Sequence, residues 1–352
     1  MKMSRLRTAV VGCGAIATAR HLPAYERLRK DVELCAVCDI NEDLASRTAE
    51  KFKIPRSYND ISKMLSQENL DLVDICLPPM IHAPSAIDAI EHGCHVLMEK
   101  PMALDTRACD QMIEASRINN VKLCVVHNNL FHSPFIKARD LVSSGAIGDL
   151  VGMRILLSTP RWHMIDMQNH WYHRLPGGMM SETGPHVAYM SLAFLGEIRS
   201  VDIFARSVLK YKWAPFDEFQ LELEGSNANC SATLSYARNT WAAVIDLTGT
   251  EATLCIDLNT MSLVCNRLKE LKSIPIGQTL LRTVVQQMGS LLSNSGKTVI
   301  GRQRLGTEVV IDRFVNSILT NSDPPVTGND GKRVVEVMQM LTRKLEEKHL
   351  QR

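Results

Sequence analysis

The sequence predicts an α/β protein with two parts. An N-terminal doubly wound parallel sheet comes first. A C-terminal α+β domain with a large, mostly antiparallel open sheet follows. Three observations carry this. Short β-rich runs alternate with helical stretches from residue 8 to residue 127, the pattern of parallel strands joined by crossover helices. A glycine-rich turn separates the first run from the first helix. After His127 the alternation stops, and several β-rich segments follow with hairpin-like connections. The expected division is therefore 1–128 and 129–352.

Residues 8–12 form the first strand and lead into Gly12, Cys13, Gly14, Ala15, Ile16 and Ala17, a GxGxxA pattern that opens a helix. Gly12 permits a tight turn, Gly14 lets backbone approach a pyrophosphate, and small Ala17 allows close helix–strand packing. The helix N-terminus favours phosphate charge. A dinucleotide held by Gly12, Cys13, Gly14, Ala15 and Ile16 is expected. Pro23 is expected to kink or end the helix. A second strand over 32–39 ends in Asp39, 25 residues after Gly14. A spacing of about 20 places a carboxylate on a ribose. Asp39 accepts from both ribose hydroxyls of NAD and repels the 2′-phosphate of NADP, and no Arg follows it, so NAD is the expected cofactor. The plainer alternative is a βα turn with a surface acid.

The alternation continues through a helix over 41–52, a strand over 70–77 stopped by Pro78 and Pro79, and a helix over 84–92 closed by Gly93. A strand over 95–99, a helix over 105–119 and a strand over 122–127 complete it. Ligands of such sheets sit outside the carboxyl ends of the strands. Gly12, Asp39, Pro78, Lys100 and His127 fall at those ends, and Asn128 follows as a candidate substrate contact. A lysine at a buried strand end must be paired or used, which makes Lys100 the first catalytic candidate.

The same residues carry a resemblance. The glycine pattern, the 77–82 stretch with Pro78, Pro79 and His82, and Glu99, Lys100 and Pro101 together resemble the glucose–fructose oxidoreductase/inositol dehydrogenase/MocA (Gfo/Idh/MocA) family. The resemblance covers nearly the whole chain. It implies a Rossmann domain and a nicotinamide-dependent oxidoreductase acting on a sugar, sugar derivative or cyclitol. It also implies a motif lysine at Lys100, often with a cis Lys100–Pro101 bond, and cofactor contacts from Pro78, His82, Glu99 and Lys100.

In the second domain a helix over 134–144 and a turn over 145–148 precede β-rich segments at 150–158, 200–207, 218–224, 229–237, 242–249 and 252–257. Between the first two lies a polar, aromatic stretch with Arg161, Trp162, His163, His170, Trp171, Tyr172, His173 and Arg174. Its rings can stack on a sugar or form an oligomer contact. Its arginines can bind phosphate or carboxylate, or form surface ion pairs. Arg161, Trp162, His163, Trp171 and Tyr172 join Lys100 and Asn128 as candidate substrate contacts. Gly177 and Gly178 then lead into Glu182, Gly184, His186 and Tyr189. Glu182 and His186 are four apart and share a helix face, with Tyr189 roughly in line. An acid, an imidazole and a phenol on one face make a proton-handling array. The family usually reads Gly-Gly, then Asp, then Gly-x-His here. This chain matches at Gly177, Gly178, Gly184 and His186, and departs with Glu182 and Tyr189 where Asp is usual. The resemblance gives His186 a catalytic and substrate-binding role, and leaves Glu182 either touching substrate or orienting His186.

Residues 261–297 show leucine-rich helical periodicity without a definite assignment, as a lid or an oligomer contact. Helices are expected over 303–320 and 331–348.

Composition excludes several classes. The 352 residues are 45% hydrophobic and 22% charged with a net charge of +2, and no basic run suggests nucleic acid or a membrane surface as partner. No apolar run approaches the ~18 residues of a membrane span. The N-terminus is basic, but the apolar run after it ends in the glycine turn, which reads as a cytoplasmic start. Ten cysteines are scattered singly. Cys35 and Cys38 lie on one strand and face opposite sides, so no metal or disulfide is expected there, nor a metal at His163, His170 and His173. An open sheet face needs covering, which suggests a homodimer or homotetramer. The expected activity is hydride transfer between a nicotinamide cofactor and a secondary hydroxyl or ketone, with Lys100 and His186 handling the proton. The rival is a cofactor-binding regulator without turnover; the presence of both Lys100 and His186 counts against it.

Overall fold

The computed structural model describes residues 5–299 and 304–350. Contacts divide the chain into two units. One runs to Asn128 and takes back Leu305–Glu336; the other holds Asn129–Arg304 and the chain from Val337 onward. The sequence suggests a single cut after residue 128 and gives no sign of this return.

The first unit is built on six strands: β1 (Leu6–Val11), β2 (Val32–Cys38), β3 (Arg56–Tyr58), β4 (Leu72–Ile75), β5 (His95–Met98) and β6 (Leu123–Val125). They pair in the order β3-β2-β1-β4-β5-β6, every pair parallel. All four residues of β4 are buried, as strands covered on both faces must be. The order reverses between β1 and β4, the switch point where such sheets open a ligand crevice.

The first helix starts at Ala15, passes through a π turn at Ala17–His21 and continues as α1 (Leu22–Arg27). Pro23 does not end it. The proline stands where the π turn passes into α1, so its missing N–H is met by an irregularity in the helix and not by its end. Next come α2 (Glu42–Phe52), α3 (Ile61–Gln67), α4 (His82–Glu91) and α5 (Thr106–Ile118). Asn41 and Asp105 accept from the Leu44 and Ala108 N–H groups, the side-chain caps that begin such helices. Neither β3 nor α3 is visible in the sequence. β3 has three residues and little burial, and α3 has seven, too short for a periodic pattern.

The second unit opens with α6 (Ser133–Ser143), β7 (Leu150–Ser158) and α7 (Met180–Leu195). Six strands follow: β8 (Ile198–Arg206), β9 (Glu218–Gly225), β10 (Asn229–Ser235), β11 (Ala242–Gly249), β12 (Thr253–Asp257) and β13 (Ser262–Asn266). The sheet runs β13-β12-β11-β7-β10-β9-β8. Only β7 with β10 pairs parallel; the rest are antiparallel. Burial along β9 alternates, as one packed face and one open face require.

The stretch 261–297 resolves into β13 and most of α8 (Ser273–Val299). The Gln286 side chain clips α8 to the Cys265 backbone through both its oxygen (2.9 Å) and its nitrogen (3.2 Å). Two helices close the chain, α9 (Gly306–Leu319) and α10 (Gly328–Leu350), and the division between units falls within α10. Gln303, the expected start of the first of these, lies outside the described residues. No described helix is long and apolar enough to cross a membrane.

Candidate active site

The glycine turn after β1 has two glycines with different requirements. Gly12 has φ +93°, and a Cβ there would lie 2.5 Å from the Cys76 carbonyl oxygen. Only glycine fits such a turn. Gly14 faces open space, and a methyl group at its Cα would find nothing within 4 Å. Its lack of a side chain serves no packing inside the protein and leaves the backbone approachable. Ala15 and Ile16, which follow on the helix, are exposed. Cys13 is buried, and burial with Asp39 beside it pushes its thiol up to about 12. What Cys13 presents is backbone: its N–H donates to Asp39 Oδ2 at 2.8 Å. The Asn41 N–H donates to the other oxygen at 2.9 Å. Asp39 is thereby fixed at the end of β2, next to the turn. An open glycine backbone with a held carboxylate fits the pyrophosphate and ribose of a dinucleotide.

At the ends of β4 and β5 the chain is braced from within. Lys100 is half-buried and precedes a cis peptide bond to Pro101. His82, expected at the cofactor, is fully buried, its Nδ1 2.9 Å from the Pro101 oxygen and its Nε2 2.7 Å from the Leu77 oxygen. Burial pushes its pKa below the ordinary value. The structure places this ring as a tie between the chain after β4 and the chain after Lys100. Pro78 precedes it at the head of a short 3-10 turn.

Glu99 also turns inward. Its Oε1 lies 3.0 Å from His21 Nε2, and its Oε2 accepts the Lys100 N–H at 3.1 Å. Burial alone would raise this carboxyl, but the bond and charge of His21, with Lys100, hold it below its ordinary value. His21 and its second partner Asp74 do not stand out as site residues in the sequence. The available signal was Asp74 itself, a charge inside an apolar strand, which must have a partner.

His127, after β6, is buried, and burial pushes its pKa down to about 4. Asn128 is half-buried and begins a 3-10 turn. Gly306 of α9 comes so close to its carbonyl that a side chain would overlap it.

In the second unit Gly177 (φ +79°) and Gly178 (φ +59°) turn the chain into α7. His186 is half-buried, and its Nδ1 is 2.5 Å from the Tyr189 hydroxyl. Tyr189 is buried, and its oxygen also accepts the Asn129 N–H at 3.3 Å. The phenol that replaces the usual acid thus holds the imidazole. Glu182 stands half-buried one turn earlier. At Gly184 a Cβ would lie 2.8 Å from Met338 Cε, so the methionine would have to shift to admit a side chain.

The aromatic stretch divides into open and closed residues. Trp162 is 62% exposed and Trp241 50% exposed, and they flank His163 at centroid distances of 5.6 and 4.8 Å. Trp241 sits just before β11 and carries no motif that marks it. Tyr172 is buried, donates to the Met164 oxygen at 2.8 Å and stacks on His170 at 4.0 Å. It packs as a pillar of the loop, beside half-buried Trp171. Arg161 donates to the Tyr211 hydroxyl at 2.7 Å and pairs with Asp166 at 3.7 Å. His173 sets its Nε2 3.2 Å from the Met167 carbonyl.

Residues 6–127 match the family described as "Oxidoreductase family, NAD-binding Rossmann fold", and residues 135–255 match the "GFO/IDH/MocA C-terminal domain". The chain is 32% identical over 150 residues to D-glucoside 3-dehydrogenase of Escherichia coli, covering 43% of this chain and 42% of that protein. It is 29% identical over 194 residues to myo-inositol 2-dehydrogenase of Thermotoga maritima, covering 54% and 55%. The matched stretches span about half the length of these relatives. Among solved structures, the WlbA dehydrogenase from Bordetella pertussis in complex with NADH and UDP-GlcNAcA superposes with a TM-score of 0.80 at 20% identity, covering 99% of this chain and 97% of that one. At that identity the likeness establishes the fold.

Proposed function

We infer the function from one premise: this chain belongs to the Gfo/Idh/MocA family of NAD-binding oxidoreductases. Our reading is an NAD-dependent dehydrogenase acting on a secondary hydroxyl, or the corresponding ketone, of a sugar, sugar derivative or cyclitol. One observation carries it. The glycine turn after β1, Asp39 after β2 and Lys100 after β5 leave the same edge of one parallel sheet. That edge is where a doubly wound sheet holds its ligands.

The backbone at Gly12–Gly14 takes the pyrophosphate, and Asp39 takes the ribose hydroxyls, which favours NAD over NADP. When bound, NAD supplies the two-electron acceptor. Lys100 donates a hydrogen bond to the substrate oxygen and stabilises it as negative charge develops. His186 takes the proton at Nε2. Its tautomer supports this role: the Tyr189 oxygen can accept from both the Asn129 N–H and Nδ1–H, which makes Nε2 the basic nitrogen. Glu182, four residues earlier on the helix, favours the imidazolium that results. Open Trp162 with His163, and Arg161 beside them, are the proposed ring and polar contacts for substrate, with Trp171, Tyr172 and Asn128 shaping the surroundings.

Two relatives are named for a glucoside and for an inositol, both polyhydroxylated six-membered rings, which supports the substrate class. We also read the protein as a cytoplasmic homodimer or homotetramer. The test is absorbance at 340 nm with NAD and NADP against free sugars, glycosides, nucleotide sugars and inositols. Turnover on at least one ring polyol, faster with NAD, is the expected result. NADH binding without turnover on any of them supports the regulator instead.

A further inference from the structure

We propose that His21 is a positioning residue for Lys100, holding Glu99, and through it the lysine, to the helix that follows the glycine turn. The proposal rests on the reading of Lys100 as the group that binds the substrate oxygen.

His21 is fully buried at the end of the π turn, an irregularity that recurs at functional sites. Its Nδ1 lies 2.7 Å from Asp74 Oδ2, and its Nε2 lies 3.0 Å from Glu99 Oε1. A neutral imidazole has one N–H and can donate to one carboxylate. Two carboxylate acceptors, both buried, call for protons on both nitrogens. Burial alone would discharge the ring, but the charges and hydrogen bonds of Asp74 and Cys76 together outweigh it and raise the His21 pKa well above its ordinary value. Asp74 is fixed, because β4 is hydrogen-bonded between β1 and β5. The relay therefore runs from a rigid strand through His21 to Glu99, whose other oxygen accepts the Lys100 N–H.

The other titratable groups around the ring do not replace this link. Cys76 has its Sγ 3.8 Å from Asp74 Oδ1. Tyr25 is buried, and burial with Asp74 nearby raises its hydroxyl well above the ordinary range, so it stays neutral. On α9, Glu308 is paired with Arg27 at 2.8 Å. The ligand atoms of His21, Asp74 and Cys76 lie close enough to surround a metal ion, yet both ring nitrogens already face carboxylates. Without the imidazolium, Glu99 loses the contact that fixes its carboxylate, and the Lys100 N–H that it accepts loses its anchor. The ammonium is then no longer held toward substrate, and its titration midpoint moves.

The experiment uses His21→Gln in the full chain, with three readings: steady-state kinetics, NADH affinity by fluorescence, and the Lys100 midpoint by NMR of 13C-dimethylated lysines, assigned with Lys100→Arg. We expect kcat to fall at least about tenfold, NADH affinity and KM to stay within about threefold, and the Lys100 midpoint to move. A folded variant with wild-type kcat and an unmoved midpoint overturns the proposal. So does a loss of kcat with an unmoved midpoint, which marks a merely structural role. If His21→Gln does not fold, Asp74→Asn is isosteric, removes the partner that keeps the ring charged, and is read by the same criteria. Lys100→Ala is measured alongside. Full turnover there defeats the reading of Lys100 alone, and the midpoint shift still judges His21.

Discussion

The Tyr189 hydroxyl lies 2.5 Å from His186 Nδ1, three residues along α7, and it is buried. In this chain the phenol holds the imidazole in place along the helix. Tyr189→Phe keeps the ring and removes the bond. We expect kcat to fall about tenfold to a hundredfold, with little change in NADH affinity. The stability cost should be about 1 kcal/mol. Steady-state kinetics across pH check this, because loss of the bond should also displace the pH limb that reports the base. An unchanged pH profile and kcat would remove His186 from the proton path.

The two turn glycines should separate stability from binding. Gly12→Ala forces a Cβ to 2.5 Å from the Cys76 carbonyl at a φ of +93°. We expect a loss of about 2 kcal/mol or more. Gly14→Ala meets nothing inside the protein, so its Tm should hold while NADH affinity drops at least about tenfold. Thermal melts and fluorescence titration read the two effects independently. Wild-type NADH affinity in Gly14→Ala would mean that the cofactor does not lie against this backbone.

Asp39 does two jobs. It accepts the Cys13 and Asn41 N–H groups and is the proposed ribose ligand. Asp39→Ser should cut kcat/KM for NAD by about tenfold or more and raise the ratio for NADP over NAD. Kinetics with both cofactors measure this. Equal losses with both would leave Asp39 a role in the turn only.

The pH dependence of stability has a defined sign at His127. Burial pushes its folded pKa down to about 4, whereas an unfolded histidine titrates near 6.5. Its contribution is fully present above about pH 6.5 and is lost as pH falls through the window to about 4, because the unfolded chain then takes up the proton. The loss at the acid end is on the order of 3 kcal/mol. His21 runs the other way: its raised folded pKa keeps its contribution intact over that window. His127→Gln should flatten the slope of stability between pH 6.5 and 4 in denaturant melts. An unchanged slope would place the acid sensitivity elsewhere.

Much of the first unit was legible because its strands are short apolar runs ending in residues that chemistry selects: Gly12, Asp39 and Lys100. Strand ends and the period of the pattern are local properties, and sequence reports them. The bracing beneath Lys100 was not legible. His21, Asp74 and Glu99 are separated by tens of residues, and only the sheet brings them together. His82 and Glu99 carry family motifs, but a motif does not tell which way a side chain points; both turn into the protein. Composition groups Tyr172 with Trp162, and the fold buries one and exposes the other. The return of Leu305–Glu336 to the first unit depends on contacts such as Gly306 against Asn128, which no pattern in the chain announces. The 261–297 stretch has no definite pattern in the sequence because a five-residue strand and a helix adjoin there; the helix exposes Leu280, Leu281 and Leu292, so its apolar period does not follow one buried face.

The central claim is that Lys100 binds the reacting oxygen. Its most direct measurement is NAD reduction at 340 nm by Lys100→Ala, with the best substrate of the wild-type panel and with NADH affinity measured in parallel. We expect a loss of kcat of at least about a hundredfold with NADH affinity within about threefold of wild type. Wild-type turnover in that variant would contradict it.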